Sequence, residues 1–433
     1  MENKRPQWSN YISFLIATIG SAVGLGNIWR FPYIMGKNGG AVFLITYLLI
    51  IALICVIPLC LELAFGKTYR ADSITVFESV NPKLKWLGYL CLFTVVVIPC
   101  FYFVVGGWLL NYIWIYFTNS TPVDFQIYFA QMNSNPYLPV LLTWLFLFLT
   151  AIFPYRGLNN GVEKANNILM PLFAIMLITL AIFACTLNGA KEGLEFMFLP
   201  DFSKFSKDTI LTAFGQALFT LSVGMGAMIT YGSYLKKEVK IKKSAYTLIF
   251  FDTIVALLAG IMIFPIVFSN GIEPTAGPNL VFISLPQIFS NFPCSNFIAL
   301  IFFILLFFAA ITSGISMMET AISSFIDKFK ISRKKSTLIL SFIIALVSIP
   351  AALSFGVLSD FKILDKSIFD LFDYITSNFM LPFNTLIICI VGGWLAHNVS
   401  KEAFGETLFG KFLTFILKYI LPVVFTAVLF IGF

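Results

Sequence analysis

Along the chain, apolar runs about as long as a bilayer is thick alternate with short polar connectors. A helix needs about 20 residues to cross the hydrocarbon layer. Such runs fall at 11–35, 41–65, 86–117, 137–154, 165–187, 208–235, 244–269, 294–326, 336–354, 367–396 and 413–432. The fourth is short and the third and eighth are long, so tilted helices are expected. Pro58, Pro99, Pro171, Pro265, Pro350 and Pro382 lie inside these runs. They are tolerated there because neighbouring helices can satisfy the freed carbonyls. The pattern predicts an all-α membrane protein of eleven transmembrane helices, with 1–433 as one domain.

Two segments depart from the pattern. Ser21–Tyr33, SAVGLGNIWRFPY, places two glycines, an asparagine and an arginine inside an apolar run. Val23-Gly24-Leu25-Gly26 is echoed two hundred residues on by Val223-Gly224-Met225-Gly226. Small or polar residues flank both: Ser21 and Asn27 in one, Thr220 and Ser222 in the other. Runs one to five and six to ten are equal sets of odd count, so the sixth starts on the side opposite to the first. The chain therefore reads as a 5+5 inverted repeat, 11–187 and 208–396, with 413–432 as an additional span. Broken helices 1 and 6 then meet antiparallel near the midplane, where transporters of this architecture bind their cargo. A broken helix leaves free amides that favour an anion and free carbonyls that suit a hard cation. A zwitterionic amino acid with Na⁺ answers both. A dinucleotide loop does not fit, because no strand precedes the GxG and no acidic ribose partner follows.

Composition agrees. The chain is 59% hydrophobic and 11% charged, with a mean hydropathy of +0.91; soluble domains average about 25% charged residues. The net charge of +7 is a matter of topology rather than of a nucleic-acid partner. With the N-terminus in the cytoplasm, the basic clusters at 67–85, 236–243 and 328–335 all fall on that side. Only Lys37, Lys191, Lys204, Lys207, Lys362 and Lys366 face outward, which is the positive-inside asymmetry. An odd number of spans then puts the C-terminus outside. The opening MENKRPQW lacks the small-residue site of a cleaved leader. Seven dispersed cysteines without CxxC spacing argue against a disulfide framework or a metal centre. A single histidine, His397, at a span end argues against a membrane enzyme.

At Gly20–Tyr33, Asn38-Gly39-Gly40, Gly215-Gln216, Phe219–Ser222, Tyr231, Tyr234 and Ala309–Ser313 the chain resembles the neurotransmitter:sodium symporters. The likeness is to their short bacterial amino-acid transporters, which have a leucine-transporter-like fold. It implies sodium-coupled symport of neutral hydrophobic or aromatic L-amino acids across a bacterial cytoplasmic membrane by alternating access. Two Na⁺ sites and no organic cofactor are expected. The first site would use Ala22, Asn27, Thr220 and Asp252; the second Gly20, Val23, Ala309, Thr312 and Ser313. Substrate would be held by Ala22, Val23, Gly24, Leu25, Gly26, Ile98, Tyr102, Phe219, Thr220, Ser222, Met225, Ser313 and Met317.

Charges inside or beside spans carry the other implied roles. Arg30 and Asp373 would close an outer gate over Phe219, and Arg5 and Asp327 an inner one near Trp8 and Tyr234. Glu62 would brace the broken first helix. Asp252 stands where chloride-requiring members place asparagine, and Tyr47, Gln216 and Thr220 complete that cradle. A fixed carboxylate there would replace chloride, and Asp252 could also carry a proton on the return step. Glu319 stands where glutamine is expected near the inner gate. A non-transporting amino-acid sensor of the same fold is the rival reading, and intact gate pairs argue against it. The sequence leaves open whether the protein is a monomer or a dimer.

Overall fold

The computed structural model describes residues 5–271 and 280–431. Lys4 and residue 432, the end of the expected last span, lie outside the described residues. Among the described residues the chain is helical, and the one β-type pairing is an isolated bridge between Ile363 and Lys366. Among the described residues nine helices are long and apolar enough to cross a membrane: Ala41–Tyr69, Pro82–Phe117, Leu138–Tyr155, Leu158–Cys185, Ile241–Phe268, Ser295–Asp327, Arg333–Ala352, Ile368–Leu395 and Leu408–Phe430. Tyr11–Ala22 and Gly26–Lys37 form a tenth crossing bent by 47°. Lys207–Thr220 and Ala227–Ser233 form a second interrupted pair, each half too short to cross alone. Counting that pair as one crossing is compatible with eleven.

The third and eighth spans, Pro82–Phe117 and Ser295–Asp327, pack against each other at the centre, and Leu138–Tyr155 packs on both. The last span touches mainly the tenth and presents Leu408, Phe412, Phe415 and Val423 outward, as a lipid-facing helix does. Gly66 and Gly232 let the second span meet the inner half of the sixth backbone to backbone. A Cβ on Gly66 would enter the space of Ile229 and Ser233, and one on Gly232 the space of Leu63.

Short helices at Ser73–Val80, Phe125–Ser134, Ala190–Phe198 and Leu280–Phe289 lie between spans where only connectors were expected. Asp72 and Asp124 start two of them by accepting the first free amides. The outer helices are pinned by aromatic packing: Trp108 of the third span meets Phe129, Phe282, Phe355 and Phe369 at 5.0–5.7 Å.

Both breaks occur where the glycine pairs stand. The first helix stops at Ala22, and Val23 is extended with φ −77° and ψ 102°. The sixth stops at Thr220; Ser222 (φ 54°), Gly224 (φ 90°) and Gly226 (φ 78°) all turn left-handed before Ala227 restarts the helix. Glycine adopts that region without penalty. Ser222 is left-handed despite its side chain, and it lies at the break that faces the cavity described below.

Candidate substrate and sodium site

The two breaks face each other across one narrow cavity, with about 30 Å³ open to the centres of water-sized atoms. Ala22, Gly24, Gly26, Ile98, Tyr102, Phe219, Thr220, Ser222, Met225, Ser313 and Met317 line it, all expected from the sequence. Val23 and Leu25 do not: both side chains are buried in the protein core. Leu25 contributes through its backbone instead, its N–H reaching the Tyr102 hydroxyl at 3.4 Å. Ser21 and Leu381 line the cavity and were absent from the expected substrate set. Ser21 was visible as a polar residue beside the first break. Leu381 carried no signal, since one leucine in an apolar span looks like any other.

At one end of the cavity lies a buried oxygen cluster. Thr220 Oγ1 is 2.8 Å from Asp252 Oδ1 and 3.1 Å from Asn27 Oδ1. Asn27 Nδ2 donates to Asp252 Oδ1 at 2.9 Å, and the Tyr47 hydroxyl to Asp252 Oδ2 at 3.1 Å. Both carboxylate oxygens are therefore hydrogen-bonded, which suits a fixed charge held beside a cation. The Asn27 Oδ1, Thr220 Oγ1 and nearby carbonyls are hard oxygen donors that fit a hard cation such as Na⁺. Gln216, expected in the Asp252 cradle, does not join it. Its Nε2 donates to the Gly26 carbonyl at 2.8 Å, and its Oε1 accepts from Arg30 at 3.3 Å.

The expected second cluster spans helices one and eight. Ser313 Oγ lies 3.3 Å from both the Gly20 and the Ser21 carbonyls. Thr312 Oγ1 donates along its own helix to the Phe308 carbonyl at 2.9 Å and lies 3.2 Å from that of Ala309. Of the expected set, Ser313 bridges the two helices, while Thr312 bonds within its own.

The two expected gate pairs differ. On the side expected to face the cytoplasm Arg5 forms an ion pair with Asp327. It also donates to Ser233 Oγ at 2.8 Å and Ser323 Oγ at 2.9 Å, with its guanidinium 4.9 Å from the Tyr234 ring centre. Trp8 is buried against Tyr231 and Tyr234. The outer pair is not formed: among the described residues Arg30 has no carboxylate partner within 4.0 Å. Arg30 lies over Phe219, 5.0 Å from the ring centre, and Asp373 accepts from Ser377 at 2.8 Å. The expected Arg30–Asp373 contact is thus open here because each group has another partner.

Two further carboxylates take partners that the sequence did not point to. Glu319, fully buried, receives two Arg333 bonds at 2.5 and 3.0 Å and the Tyr234 hydroxyl at 2.8 Å. Its charge is balanced from the start of the ninth span. Glu62 braces the sixth helix rather than the first, accepting the Gly224 N–H at 2.6 Å.

A cavity lined by two interrupted helices of a membrane bundle is the arrangement of a secondary transporter. The chain belongs to the sodium:neurotransmitter symporter family, whose family model matches residues 5–128 and 131–432. It is 36% identical to the uncharacterized sodium-dependent transporter YhdH of Bacillus subtilis, over 93% of this chain and 90% of that one. A second such transporter, from Haemophilus influenzae, is 35% identical over 96% of this chain and 95% of its own. Among solved structures, MhsT in complex with L-phenylalanine superposes with a TM-score of 0.93 at 40% identity, covering 99% of this chain and all of that one.

Proposed function

We propose that the protein is a sodium-coupled symporter of neutral hydrophobic or aromatic L-amino acids, chloride-independent and working by alternating access. The observation that carries this is the cavity itself. Apolar Ile98, Phe219, Met225, Met317 and Leu381 line it together with backbone of both broken helices, and the Asn27–Thr220–Asp252 cluster closes one end. The substrate carboxylate would take the Leu25 and Gly26 amides and the Tyr102 hydroxyl. The ammonium would take carbonyls near Ala22, Phe219 and Thr220. No charged side chain lines the cavity, which disfavours acidic and basic cargo. The L-phenylalanine bound by the related MhsT supports an aromatic substrate.

Two Na⁺ ions would be co-substrates, one at Ala22, Asn27 and Thr220 beside the Asp252 carboxylate. The other would lie among Gly20, Val23, Ala309, Thr312 and Ser313. Asp252 would supply the negative charge that chloride gives elsewhere. The protein would sit in the bacterial cytoplasmic membrane, N-terminus inside and C-terminus outside. The 5+5 repeat would rock about the cavity, with Arg30–Asp373 and Arg5–Asp327 closing in alternation. The test is a panel of twenty amino acids against purified protein in chloride-free proteoliposomes, with Na⁺ and then K⁺. Saturable uptake of apolar or aromatic amino acids that requires Na⁺ is expected. Uptake that K⁺ supports equally well would overturn the reading.

A further inference from the structure

Glu62 is fully buried within Ala41–Tyr69. Its Oε1 accepts the Gly224 N–H, and its Oε2 meets no donor. Asn384, also fully buried, holds the carbonyl of the same glycine. Its Nδ2 donates to Gly224 O at 2.7 Å and to Thr94 Oγ1 at 2.9 Å. Its Oδ1 likewise meets no donor. Turning the amide over does not help, because the Gly224 carbonyl can only accept, and the Thr94 hydroxyl already gives its proton to the Leu90 carbonyl. Two buried acceptors are thus left over on the two sides of one glycine.

No counter-charge faces Glu62. It is in no ion pair among the described residues, and the titratable groups within its electrostatic reach are the Cys91 and Cys389 thiols of the third and tenth spans. Charges on other helices packed against this span are engaged elsewhere: Asp252 with Asn27, Thr220 and Tyr47; Lys242 with the Phe404 carbonyl; Glu402 with Lys67. The Tyr231 hydroxyl, on the inner half of the sixth helix, is not a charge. An ionised carboxylate with one amide donor is strongly disfavoured inside a bilayer. Among the described residues no cluster of three or more His, Cys, Asp or Glu side chains gathers here to hold a metal ion. A proton is the one cation that needs no cavity.

We propose that Glu62 is a proton-binding site, a neutral carboxylic acid in this conformation. Its Oε1 accepts from Gly224, and its Oε2–H donates to Asn384 Oδ1. One proton then satisfies both leftover acceptors. It is taken from bulk water and returned to it; no bond to substrate or Na⁺ forms or breaks. Because the clamp grips the left-handed glycine of the sixth-helix break, rearranging that break exchanges the proton, which links the cycle to pH. The inference does not depend on which amino acid is carried.

Infrared difference spectroscopy on the full-length purified protein tests this. At neutral pH the wild type is expected to show a protonated-carboxyl band that shifts in D₂O. Glu62→Gln should lose it, Asp252→Asn should keep it, and Asn384→Leu should move it to the frequency of a carboxyl without a hydrogen bond. A wild type without such a band, or a Glu62→Gln spectrum that retains every acid band, overturns the assignment. Should Glu62→Gln not fold, Asn384→Leu decides alone: a shifted band supports the site and an unmoved one overturns it.

Discussion

Replacing Arg5 by alanine is expected to shift the protein away from the conformation seen here. The guanidinium pairs with Asp327, donates to Ser233 and Ser323, and lies over the Tyr234 ring. The Arg5 side chain is 12% exposed and that of Asp327 22%, so solvent screens the pair only in part. Removing one partner of a buried pair costs about 3–5 kcal/mol, chiefly because the other charge is left behind. Here the Asp72 N–H still serves Asp327 at 2.8 Å, which favours the lower end. A loss of about 3 kcal/mol corresponds to roughly 150-fold in the equilibrium between inside-closed and inside-open states.

If substrate binds the inside-closed state, its apparent affinity falls as that state is depopulated. The assay is the apparent Kd for L-phenylalanine at saturating Na⁺, together with hydrogen exchange of the N-terminal segment around Trp8. Arg5→Ala should weaken binding by one to two orders of magnitude and raise exchange there. Arg5→Ala combined with Asp327→Ala should cost little more than either alone. A loss of about fivefold or less, as an exposed surface pair would give, with unchanged exchange, would refute the assignment of Arg5 as a latch.

Asp252→Asn should lower uptake in chloride-free medium and make it chloride-stimulated; normal chloride-free uptake by this variant would sink the surrogate reading. Glu319→Gln leaves Arg333 without its carboxylate and should destabilise the inner face by about 3 kcal/mol, read as a lower Tm and faster exchange at the start of the ninth span. Gly66→Ala forces the second span off the sixth and should cost about 1–3 kcal/mol or block folding, which thermal unfolding would show. Burial raises the Asp72 carboxyl above the ordinary aspartate range. The folded state therefore binds this proton more tightly than the unfolded chain, so Asp72 opposes stability above its folded value, and stability should rise as pH falls through the window between the two. Asp72→Asn, which keeps a helix-capping side chain, should flatten that rise in thermal melts; an unchanged pH profile would remove Asp72 as its source.

The breaks were legible because glycine pairs and polar residues in an apolar run have few other physical explanations. The cavity wall, where eleven expected residues converge, was legible only through the family resemblance, since Met225 and Met317 alone look like ordinary core. What escaped the sequence depends on state or on distant packing. Whether Arg30 meets Asp373 or lies on Phe219 is a matter of conformation, and both arrangements use the same residues. The Glu319–Arg333 pair joins residues only fourteen apart, yet it is visible only once the eighth and ninth helices are seen to pack side by side. Glu62 pointed to a break, but nothing in its neighbours said which. The short helix at Ala190–Phe198 hid because its apolar residues buy a dock on Ile241–Phe268 rather than a crossing.

The two faces of the bundle are held by different physics, and Gln216 joins the outer one to the site. Inside, the Arg5–Asp327 and Glu319–Arg333 ion pairs flank the Trp8–Tyr231–Tyr234 cluster, and Tyr234 touches both pairs. If that face opens in the proposed cycle, two charge pairs and an aromatic contact would part with it. At the other end Arg30 is held by the Phe219 ring face, the Gln216 amide and the Tyr33 hydroxyl, neutral contacts of about 1 kcal/mol each. The amide is that of Gln216, whose other end grips the Gly26 carbonyl within the cavity wall. A ligand that moves the Gly26 peptide would therefore also move the Gln216 partner of Arg30. If Arg30 and Asp373 form the outer gate proposed above, strong contacts on one face and a weak, ligand-linked one on the other would make its closure depend on what the cavity holds.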